Sequence, residues 1–451
     1  MRRLFGTDGV RGIANKELTG ELAYALGASA GYVLGNRVRG RKPKFLIGKD
    51  TRISGDMLEQ AISAGFLSVG CDVVRVGVLP TPAIAYLTRY TEATSGVVIS
   101  ASHNPFEYNG IKLFNEDGFK LPDSLEDEIE KYVIKKDDRN GFVTGALLGK
   151  ADVSEEESQK SYVDFLYGNV KEDLSGLKIV VDCANGAAYK VARKLFDRLG
   201  VRALYMGAKP DGTNINEGRG STHPESMQRR VIREGADVGI AFDGDADRLI
   251  CADEKGSLID GDKLMYVLGK SMKNLGELKN NLLTATVMSN LGFEEALQRE
   301  GIVLLRADVG DRYVLEMMQH SDSVFGGEQS GHMIFLKEHT TGDGIFAAIR
   351  FLEALVKSGE KASALSEDVT IYPQVLKNAK VKNENKYSFD KDEKISAAIS
   401  EMEREMEGKG RILIRPSGTE PLVRVMLEGA DKQGLDRMAD RLVRLVEDRL
   451  R

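Results

Sequence analysis

The sequence predicts an α/β protein with mixed, mostly parallel sheets, followed by a smaller α+β domain. Short apolar runs rich in β-branched residues alternate with longer stretches of helical period, which is typical of βαβ units. This pattern restarts twice, so we expect three similar rounds of α/β structure before the pattern changes. At roughly 150 residues per domain, a length of 451 residues fits about three domains and excludes a single small module.

The three rounds are marked by short apolar segments that we interpret as strands. A helix is expected over 57–69, because apolar residues recur there at helical spacing. The rounds differ too much in sequence to demonstrate an internal repeat. The predicted strands are 44–48, 73–76, 97–99, 177–181, 238–242, 282–287 and 302–305.

The last part of the chain has a different character. A polar stretch over 377–394 leads into a helix-like run that ends at Glu407. Two predicted strands, 411–414 and 422–427, precede an amphipathic helix that begins near Asp431. This succession indicates a small α+β domain. Polar segments at 150–160, 253–257 and 357–368 could each hold a linker, and the predicted domains are 1–150, 151–254, 255–366 and 367–451.

Composition excludes several classes of protein. The formal net charge of -6 gives no overall positive field to attract nucleic acid. The absence of any run of 18 apolar residues argues against a membrane protein, and no apolar signal segment follows the first residues. Three widely spaced cysteines fit neither a disulfide framework nor a zinc site, so we expect a cytoplasmic protein. The 48 glycines against 10 prolines indicate many tight turns within ordered structure.

The most specific motif is an acidic loop directly after the predicted strand 238–242. Asp243, Asp245 and Asp247 alternate along a turn loosened by a glycine, so their carboxylates can converge on one centre. Such hard oxygen ligands suit Mg²⁺ better than zinc or copper. An EF-hand is excluded because Arg248 stands where that loop needs glycine. A solvated acidic turn is the alternative interpretation.

A second motif, Ser100 to Pro105, also follows a predicted strand. Ser102 stands at the carboxyl end of that strand, where α/β sheets place their ligands. A Ser-His hydrolase is disfavoured, because sequence neighbours generally project apart and no G-x-S-x-G elbow is present. A serine beside Mg²⁺ can instead accept and donate a phosphoryl group. The alternative is a polar loop with local backbone bonds.

Two further loops suggest ligand contacts. Residues 415–421, followed by Arg424, combine hydroxyls, a permissive glycine and arginines that could cradle a phosphate. Glu328, Gln329 and Ser330 lie on a glycine-rich loop whose polar groups suit sugar hydroxyls or an amine. Each loop could equally be an ordinary turn. Weaker candidates for anion binding are the segment 6–12 and Lys112.

Together these motifs resemble the α-D-phosphohexomutase superfamily, in family order and over essentially the whole chain. The resemblance implies that Ser102 is the phosphoserine and that Mg²⁺ binds Ser102, Asp243, Asp245 and Asp247. It also implies a role at the transferring phosphate for Arg11, Lys112, Arg248 and His332, among which Lys112 is our choice for the general base. The implied substrate contacts are Glu328 and Ser330 to the sugar, and Arg415, Ser417, Gly418, Thr419 and Arg424 to its other phosphate.

The resemblance further implies four domains around a central cleft, a homodimer, and transfer through a hexosamine 1,6-bisphosphate. It favours the branch that interconverts α-D-glucosamine 6-phosphate and 1-phosphate, which feeds UDP-N-acetylglucosamine synthesis. Gln329 and the stretch 308–312 resemble that branch, whereas Ala246 replaces its usual glycine and is commoner in the phosphomannomutase/phosphoglucomutase branch. The alternatives are therefore activity on mannose and glucose phosphates, or a non-catalytic protein that binds metal or sugar phosphate.

Overall fold

The computed structural model describes residues 4–6, 8–134, 141–406, 408, 410–417 and 420–451. The chain forms two compact units: unit 1 comprises Met1–Thr286 and Leu305–Glu367, and unit 2 comprises Val287–Leu304 and Asp368–Arg451. No described helix is both long enough and apolar enough to cross a membrane.

Strands and helices alternate over most of the chain. In chain order the strands are β1 (Val10–Ile13), β2 (Lys44–Lys49), β3 (Asp72–Val78), β4 (Ser95–Ile99), β5 (Tyr108–Phe114), β6 (Ala151–Val153), β7 (Lys178–Asp182), β8 (Arg202–Met206), β9 (Val238–Phe242), β10 (Leu249–Ala252), β11 (Leu258–Ile259), β12 (Leu282–Thr286), β13 (Val303–Ala307), β14 (Phe325–Gly327), β15 (Met333–Phe335), β16 (Gln374–Lys380), β17 (Gly410–Pro416) and β18 (Leu422–Gly429). The helices are α1 (Gly20–Gly35), α2 (Ser54–Ser68), α3 (Thr81–Tyr90), α4 (Asp123–Ile134), α5 (Glu155–Gly168), α6 (Ala188–Arg198), α7 (Glu225–Glu234), α8 (Gly261–Asn274), α9 (Leu291–Arg299), α10 (Asp311–Ser321), α11 (Gly344–Ser358), α12 (Ala362–Leu365), α13 (Glu393–Glu405) and α14 (Lys432–Leu450).

The first sheet has the order β1-β5-β4-β2-β3-β6. Its strand β2 is parallel to β3 and β4, whereas β5 is antiparallel to both β4 and β1. All five residues of β4 are buried, as expected for a central strand covered on both faces. Helices α1 and α2 contribute to the core of this sheet, where the rings of Phe45 and Phe66 stack with centroids 4.0 Å apart. This core fixes the end of β4, from which the Ser102 loop leaves.

The second sheet has the order β11-β10-β9-β7-β8. Strands β7 and β9 are parallel, but β10 turns back antiparallel to β9, with Phe242 opposite Leu249. Both β9 and β10 are buried throughout. The acidic loop 243–248 is therefore the short connection between two firmly packed strands.

A third sheet has the order β13-β12-β14-β15. Strand β14 is parallel to β12 and antiparallel to β15, with Gly327 opposite Met333. The turn from β14 to β15 spans residues 328–332 and carries the predicted sugar contacts. The antiparallel pairing of β14 with β15 sets the direction of this turn.

Unit 2 contains a three-stranded antiparallel sheet in the order β16-β18-β17. Helices α13 and α14 contribute Ile395, Met402 and Leu442 to a core with the buried residues of β18. Helix α9 also belongs to this unit, and the backbone N–H of Leu291 at its start donates to Glu428 Oε1 at 3.0 Å. This unit is the small α+β structure that the sequence predicts.

The predicted fold class is confirmed: α/β structure with mixed sheets is followed by α+β structure. Every predicted strand overlaps an observed one, and the predicted helix over 57–69 is α2, which begins at Ser54. Two details differ. The charged segment 150–160 is not a linker, because it holds β6 and the start of α5, and the polar stretch from 377 is partly β16. Strand β6 pairs with β3, so the first sheet continues beyond residue 150; the four domain boundaries stay predictions.

Candidate active site

The Ser102 loop follows β4 and holds the serine in an unusual backbone conformation. Ser102 is 2% exposed and has a φ of +51°, a left-handed value that side chains other than glycine seldom adopt. Its backbone N–H donates to Ser100 Oγ at 3.0 Å. Its hydroxyl donates to Asp243 Oδ2 at 2.6 Å, so the serine faces the acidic loop.

His103 lies closer to this hydroxyl than the sequence argument suggests. Its Nδ1 is 3.4 Å from Ser102 Oγ, a long contact beside the 2.6 Å bond to Asp243. Burial lowers the pKa of His103, and the charges of Arg248 and Arg11 lower it further. The short hydrogen bond of the serine therefore goes to a carboxylate rather than to the histidine.

The acidic loop brings its three carboxylates together. Ligand oxygens of Asp243, Asp245 and Asp247 lie within 4.8 Å of one another, and all three residues are buried. The loop is pinned at two backbone oxygens, since Thr81 N–H donates to the carbonyl of Asp245 at 3.0 Å and Gly344 N–H donates to that of Ala246 at 3.0 Å. The predicted metal ligands thus form one cluster.

This cluster fits a divalent metal ion. Asp245 Oδ1 and Asp247 Oδ1 are buried and have no hydrogen-bond donor among the described residues. Burial raises the pKa of Asp243 well above its usual value, and the neighbouring Asp247 and Asp245 carboxylates add to the effect. Crowded, partly unsatisfied carboxylate oxygens are the donor set that a hard divalent cation neutralises. Asp243, Asp245 and Asp247 are the residues that could hold it.

Lys112 contacts the cluster through Asp245. It is 1% exposed on β5, and its Nζ is 3.0 Å from both Asp245 Oδ2 and Asp8 Oδ2. Burial alone would lower the pKa of Lys112, but the charges of Asp245 and Asp8 overcome this and raise it. These ion pairs favour the ammonium form, which neutralises phosphate rather than accepting a proton; Lys112 as the base stays a prediction.

Arg11 approaches the same cluster through Asp8. It lies on β1 opposite Gly110 of β5, and its guanidinium forms an ion pair with the Asp8 carboxylate. Asp8 also accepts a hydrogen bond from Lys120, whose Nζ lies 2.5 Å from Asp311 Oδ2. Arg11 is therefore positioned by a carboxylate that Lys112 and Lys120 share.

Arg248 and His332 are adjacent across a backbone bridge between the acidic loop and the 328–332 turn. The backbone N–H of Arg248 donates to Asp243 Oδ1 at 3.3 Å. His332 Nδ1 lies 3.5 Å from Asp247 Oδ2, while its Nε2 accepts a hydrogen bond from Gly342 N–H at 3.0 Å. Burial would lower the pKa of His332, but its interactions with Asp247, Asp311 and Glu328 raise it.

The 328–332 turn is held tightly to its neighbours. Glu328 N–H donates to the carbonyl of His332 at 2.9 Å, and Gly261 N–H donates to that of Gln329 at 3.0 Å. Burial raises the pKa of Glu328, against the opposing charge of His332. Ser330 is exposed at the tip. Glu328 is thus the member of this turn that interacts with the cationic side chains, and Ser330 faces solvent.

The predicted phosphate loop belongs to unit 2. Arg415 on β17 is directly opposite Arg424 on β18, so two cationic residues are paired across the sheet. Ser417 is 3% exposed, and its backbone N–H donates to the carbonyl of Leu422 at 2.8 Å. Gly418 and Thr419 lie outside the described residues. The two arginines place cationic groups at this end of the sheet, and Arg424 Nη2 also lies 4.0 Å from Glu420 Oε2.

Several residues that contact these side chains were not predicted. Asp8 lies within the segment 6–12, a candidate for anion binding, and Asp311 lies within 308–312, a stretch that resembles the glucosamine branch. Thr81 donates its hydroxyl to Asp245 Oδ2 at 2.7 Å from the start of α3. Lys120 and Thr81 stand in no motif, so no local signal could have found them.

Four family models match the chain in order. They describe phosphoglucomutase/phosphomannomutase α/β/α domain I at residues 2–140, domain II at 160–256, domain III at 260–372 and the C-terminal domain at 376–445. A phosphoglucosamine mutase of Thermoanaerobacter sp. (strain X514) is 53% identical over 450 residues, with 100% of each chain covered. A phosphoglucosamine mutase of Clostridium kluyveri is 52% identical over 451 residues, again with 100% of each covered.

Solved structures give the same fold. A phosphoglucomutase/phosphomannomutase family protein from Burkholderia thailandensis matches with a TM-score of 0.83 at 23% identity, covering 99% of this chain and 98% of that one. The N-acetylphosphoglucosamine mutase of Aspergillus fumigatus, in complex with GlcNAc-6P and magnesium, matches with a TM-score of 0.68 at 17% identity, covering 99% and 95%.

Proposed function

This chain belongs to the phosphoglucomutase/phosphomannomutase family, and from that premise we propose that it interconverts α-D-glucosamine 6-phosphate and α-D-glucosamine 1-phosphate. The observation that carries the proposal is identity of 52 to 53% to phosphoglucosamine mutases over the full length of both chains. The enzyme is accordingly an isomerase that moves a phosphoryl group within one sugar. The contact of Ser102 Oγ with Asp243 supports a phosphoserine mechanism.

In this mechanism phosphorylated Ser102 gives its phosphoryl group to the free hydroxyl of a hexosamine monophosphate. The bond from phosphorus to Ser102 Oγ breaks, a bond to the sugar oxygen forms, and the hydroxyl proton passes to a base. The resulting 1,6-bisphosphate reorients and returns its other phosphate to Ser102. One serine therefore serves both ends of the sugar, and the phosphorylated enzyme is regenerated.

The cationic side chains around Ser102 would stabilise the transferring group. Lys112, Arg248 and Arg11 carry positive charge into a buried site, where such charge stabilises phosphoryl oxygens more than it would in water. His332 interacts with Asp247 and is held by Gly342, so it can hold or release a proton beside the same group. Lys112, the base chosen from the family resemblance, would have to lose its proton before it could act in that role, and its ion pairs with Asp245 and Asp8 oppose that loss.

We infer that Mg²⁺ occupies the cluster of Asp243, Asp245 and Asp247. When bound it neutralises charge on the phosphoryl oxygens during transfer. The unsatisfied oxygens of Asp245 and Asp247 support this assignment. The phosphate on Ser102 would complete the ligand set.

Substrate binding is assigned to the two remaining loops. Glu328 and Ser330 would contact the sugar, and Glu328 suits the ammonium group of glucosamine because it is a carboxylate. Arg415, Ser417, Gly418, Thr419 and Arg424 would hold the phosphate that is not being transferred. The paired arginines of unit 2 support this role. We further propose that the protein is a cytoplasmic homodimer.

One observation favours a second candidate, a phosphomannomutase/phosphoglucomutase. Ala246 is the residue more common in that branch, and it takes a left-handed φ of +56° at which glycine would be unstrained. Because its methyl group offers no ligand atom, Ala246 bears on the choice between the two branches of the family and not on metal binding.

The deciding experiment compares kcat/KM for the 6-phosphates of glucosamine, glucose and mannose on one preparation. A hexose 1,6-bisphosphate is supplied as activator. We expect glucosamine 6-phosphate to give the highest kcat/KM, by at least tenfold. A preference for either neutral sugar would assign the chain to the second candidate. A Ser102→Ala variant that kept full turnover would contradict the mechanism for every substrate.

A further inference from the structure

Two side chains from distant parts of the chain hold the same two carbonyl oxygens of the Ser102 loop. Arg52 Nη2 donates to the carbonyl of Ser102 at 2.9 Å and to that of Asn104 at 2.8 Å. Asn216 Nδ2 donates to the same oxygens at 2.9 and 3.1 Å. A carbonyl oxygen has two lone pairs, so each can accept both bonds. We call this pair, Arg52 and Asn216, the carbonyl clamp.

Arg52 is held in place by a closed circuit of hydrogen bonds. It is 3% exposed, and its Nε donates to Asp50 Oδ2 at 2.9 Å. That carboxylate oxygen also accepts from Ser100 Oγ at 2.6 Å, and Ser100 Oγ accepts from the backbone N–H of Ser102. The circuit therefore fixes both the N–H and the carbonyl of Ser102.

Asn216 reaches the same loop from the segment between β8 and α7. Its backbone has a left-handed φ of +61°, and its N–H donates to the carbonyl of Ala184 at 2.8 Å. Its side-chain Oδ1 has no donor among the described residues, so the amide acts here only as a donor. Asn216 is thus a buried amide whose described side-chain bonds all go to the serine loop.

The acidic loop packs directly on the clamp. A Cβ on Gly244 would lie 2.5 Å from the carbonyl oxygen of Ser102 and 2.9 Å from Asn216 Nδ2. Only glycine allows this approach. The serine loop, the clamp and the metal-binding loop therefore share one tightly packed junction, and a shift of the clamp changes the distance from Ser102 to the carboxylates.

We propose that Arg52 and Asn216 are positioning residues, which hold Ser102 in its left-handed conformation so that its oxygen faces the metal-binding carboxylates. A left-handed serine is intrinsically unfavourable, and such a conformation persists only where surrounding contacts determine it. The clamp fixes the peptide planes that follow Ser102 and Asn104, and these planes set the direction of the hydroxyl. This inference rests on the proposed function, because it assigns the clamp to phosphoryl transfer.

The test uses Asn216, because it carries no charge and takes no part in the Asp50 circuit. Asn216→Gly removes the amide and keeps the left-handed backbone without strain, whereas Asn216→Ala removes the amide and adds strain. Asn216→Asp keeps the shape but turns a carboxylate toward the carbonyls. The matched control is Asn214→Ala, because Asn214 lies on the same segment and its amide donates to Lys209 instead.

Turnover is measured with glucosamine 6-phosphate and glucose 1,6-bisphosphate, and phosphorylation of Ser102 is followed by intact mass. We expect kcat to fall at least tenfold in Asn216→Gly and by a similar factor in Asn216→Ala, with KM within twofold of wild type. Asn216→Asp should lose at least as much, and Asn214→Ala should keep kcat within twofold. Phosphorylation of Ser102 by the bisphosphate should slow in step with kcat.

Four outcomes would overturn the inference. Wild-type kcat in Asn216→Gly, or an equal loss in Asn214→Ala, would show that the amide does not position the serine. A change confined to KM would assign Asn216 to substrate binding instead. If wild-type protein gains no phosphoryl group on Ser102, the proposed function fails first and the role of the clamp fails with it.

Discussion

Asp245 is the acidic-loop residue most constrained by its neighbours. Its Oδ2 accepts a hydrogen bond from the hydroxyl of Thr81 at 2.7 Å and pairs with Lys112, while its Oδ1 is left without a described donor. One oxygen is thus held by the protein and the other is available to a cation. This division of roles gives a direct test of the metal site.

Asp245→Asn should weaken Mg²⁺ binding at least tenfold, because the substitution keeps the shape and removes one ligand charge. Titration calorimetry on the phosphorylated protein measures the affinity, and turnover after removal and return of Mg²⁺ should follow it. The matched control is Asp253→Asn, a buried aspartate that accepts backbone hydrogen bonds in the next turn. Unchanged affinity in Asp245→Asn would remove this residue from the metal site.

A second residue-scale feature is the ion-pair network that joins Asp8, Lys120 and Asp311. Burial by itself would raise the pKa of Asp8 and Asp311, but the nearby cations lower both pKa values below the ordinary range. A carboxyl whose pKa is lowered by folding contributes stability above its unfolded value, near pH 4, and that contribution is lost as pH falls further. Lys120 is the cation common to both carboxylates.

Lys120→Met should therefore lower the thermal unfolding midpoint at pH 7, and its difference from wild type should shrink below about pH 4. Midpoints measured from pH 3 to pH 7 provide the test. Arg37→Met is the control, since Arg37 pairs with Glu128 at an exposed site and such pairs contribute little. A Lys120→Met difference that stays constant over this range would contradict the lowered pKa values.

At the scale of elements, the turn from β14 to β15 depends on Gly331. This residue has a φ of +93°, and a Cβ there would lie 2.1 Å from the carbonyl oxygen of Leu249 on β10. Its own carbonyl accepts from Leu249 N–H at 3.0 Å. The turn that carries Glu328 and His332 is therefore attached to the strand that follows the acidic loop.

Gly331→Ala should destabilise the protein by more than about 2 kcal/mol, because strain and a backbone clash add. Gly359→Ala is a matched control: it has a φ of +68° with open space around it, so only the strain of about 1 kcal/mol applies. Chemical unfolding of both variants measures the difference. Equal losses of stability would show that the attachment to β10 is not tight.

The same elements explain which structure could be predicted from the sequence. Strands β4 and β9 were recognisable because they are buried throughout and contain the predicted runs 97–99 and 238–242. Strand β16 lies at the edge of its sheet with alternating exposed positions, and its lysines and asparagine conceal the pattern. The start of α5 was missed for a similar reason, because its charged sequence looks like a linker.

The residues of the candidate site also divide into those that the sequence could predict and those that it could not. Ser102 and the three aspartates were predictable because they follow apolar strands at the edge where α/β sheets bind ligands. Arg52 and Asn216 were not, because they bind backbone carbonyls 50 and 114 residues away and form no local motif. Lys120 and Asp311 meet across 191 residues for the same reason. Such pairs exist only in the folded chain.

At the scale of the whole molecule, several cationic side chains gather at one place in a chain whose net charge is negative. The chain carries a formal charge of -6, yet Lys112, Arg248 and Arg11 gather beside its acidic loop. Each is held by a carboxylate, so the cations are fixed in position before any phosphate arrives. A phosphorylated sugar would therefore meet positive groups that need little rearrangement, which is the condition for electrostatic stabilisation of phosphoryl transfer.

A single turnover of labelled enzyme tests the central claim most directly. Protein carrying a ³²P-phosphoryl group on Ser102 is mixed with glucosamine 6-phosphate. A trap removes products as they are released, so that each enzyme molecule is followed through one turnover. We predict that the label leaves the protein, passes through glucosamine 1,6-bisphosphate and appears at C1 of glucosamine 1-phosphate. Label that stays on Ser102, or that is released only as inorganic phosphate, would contradict the proposed mutase mechanism.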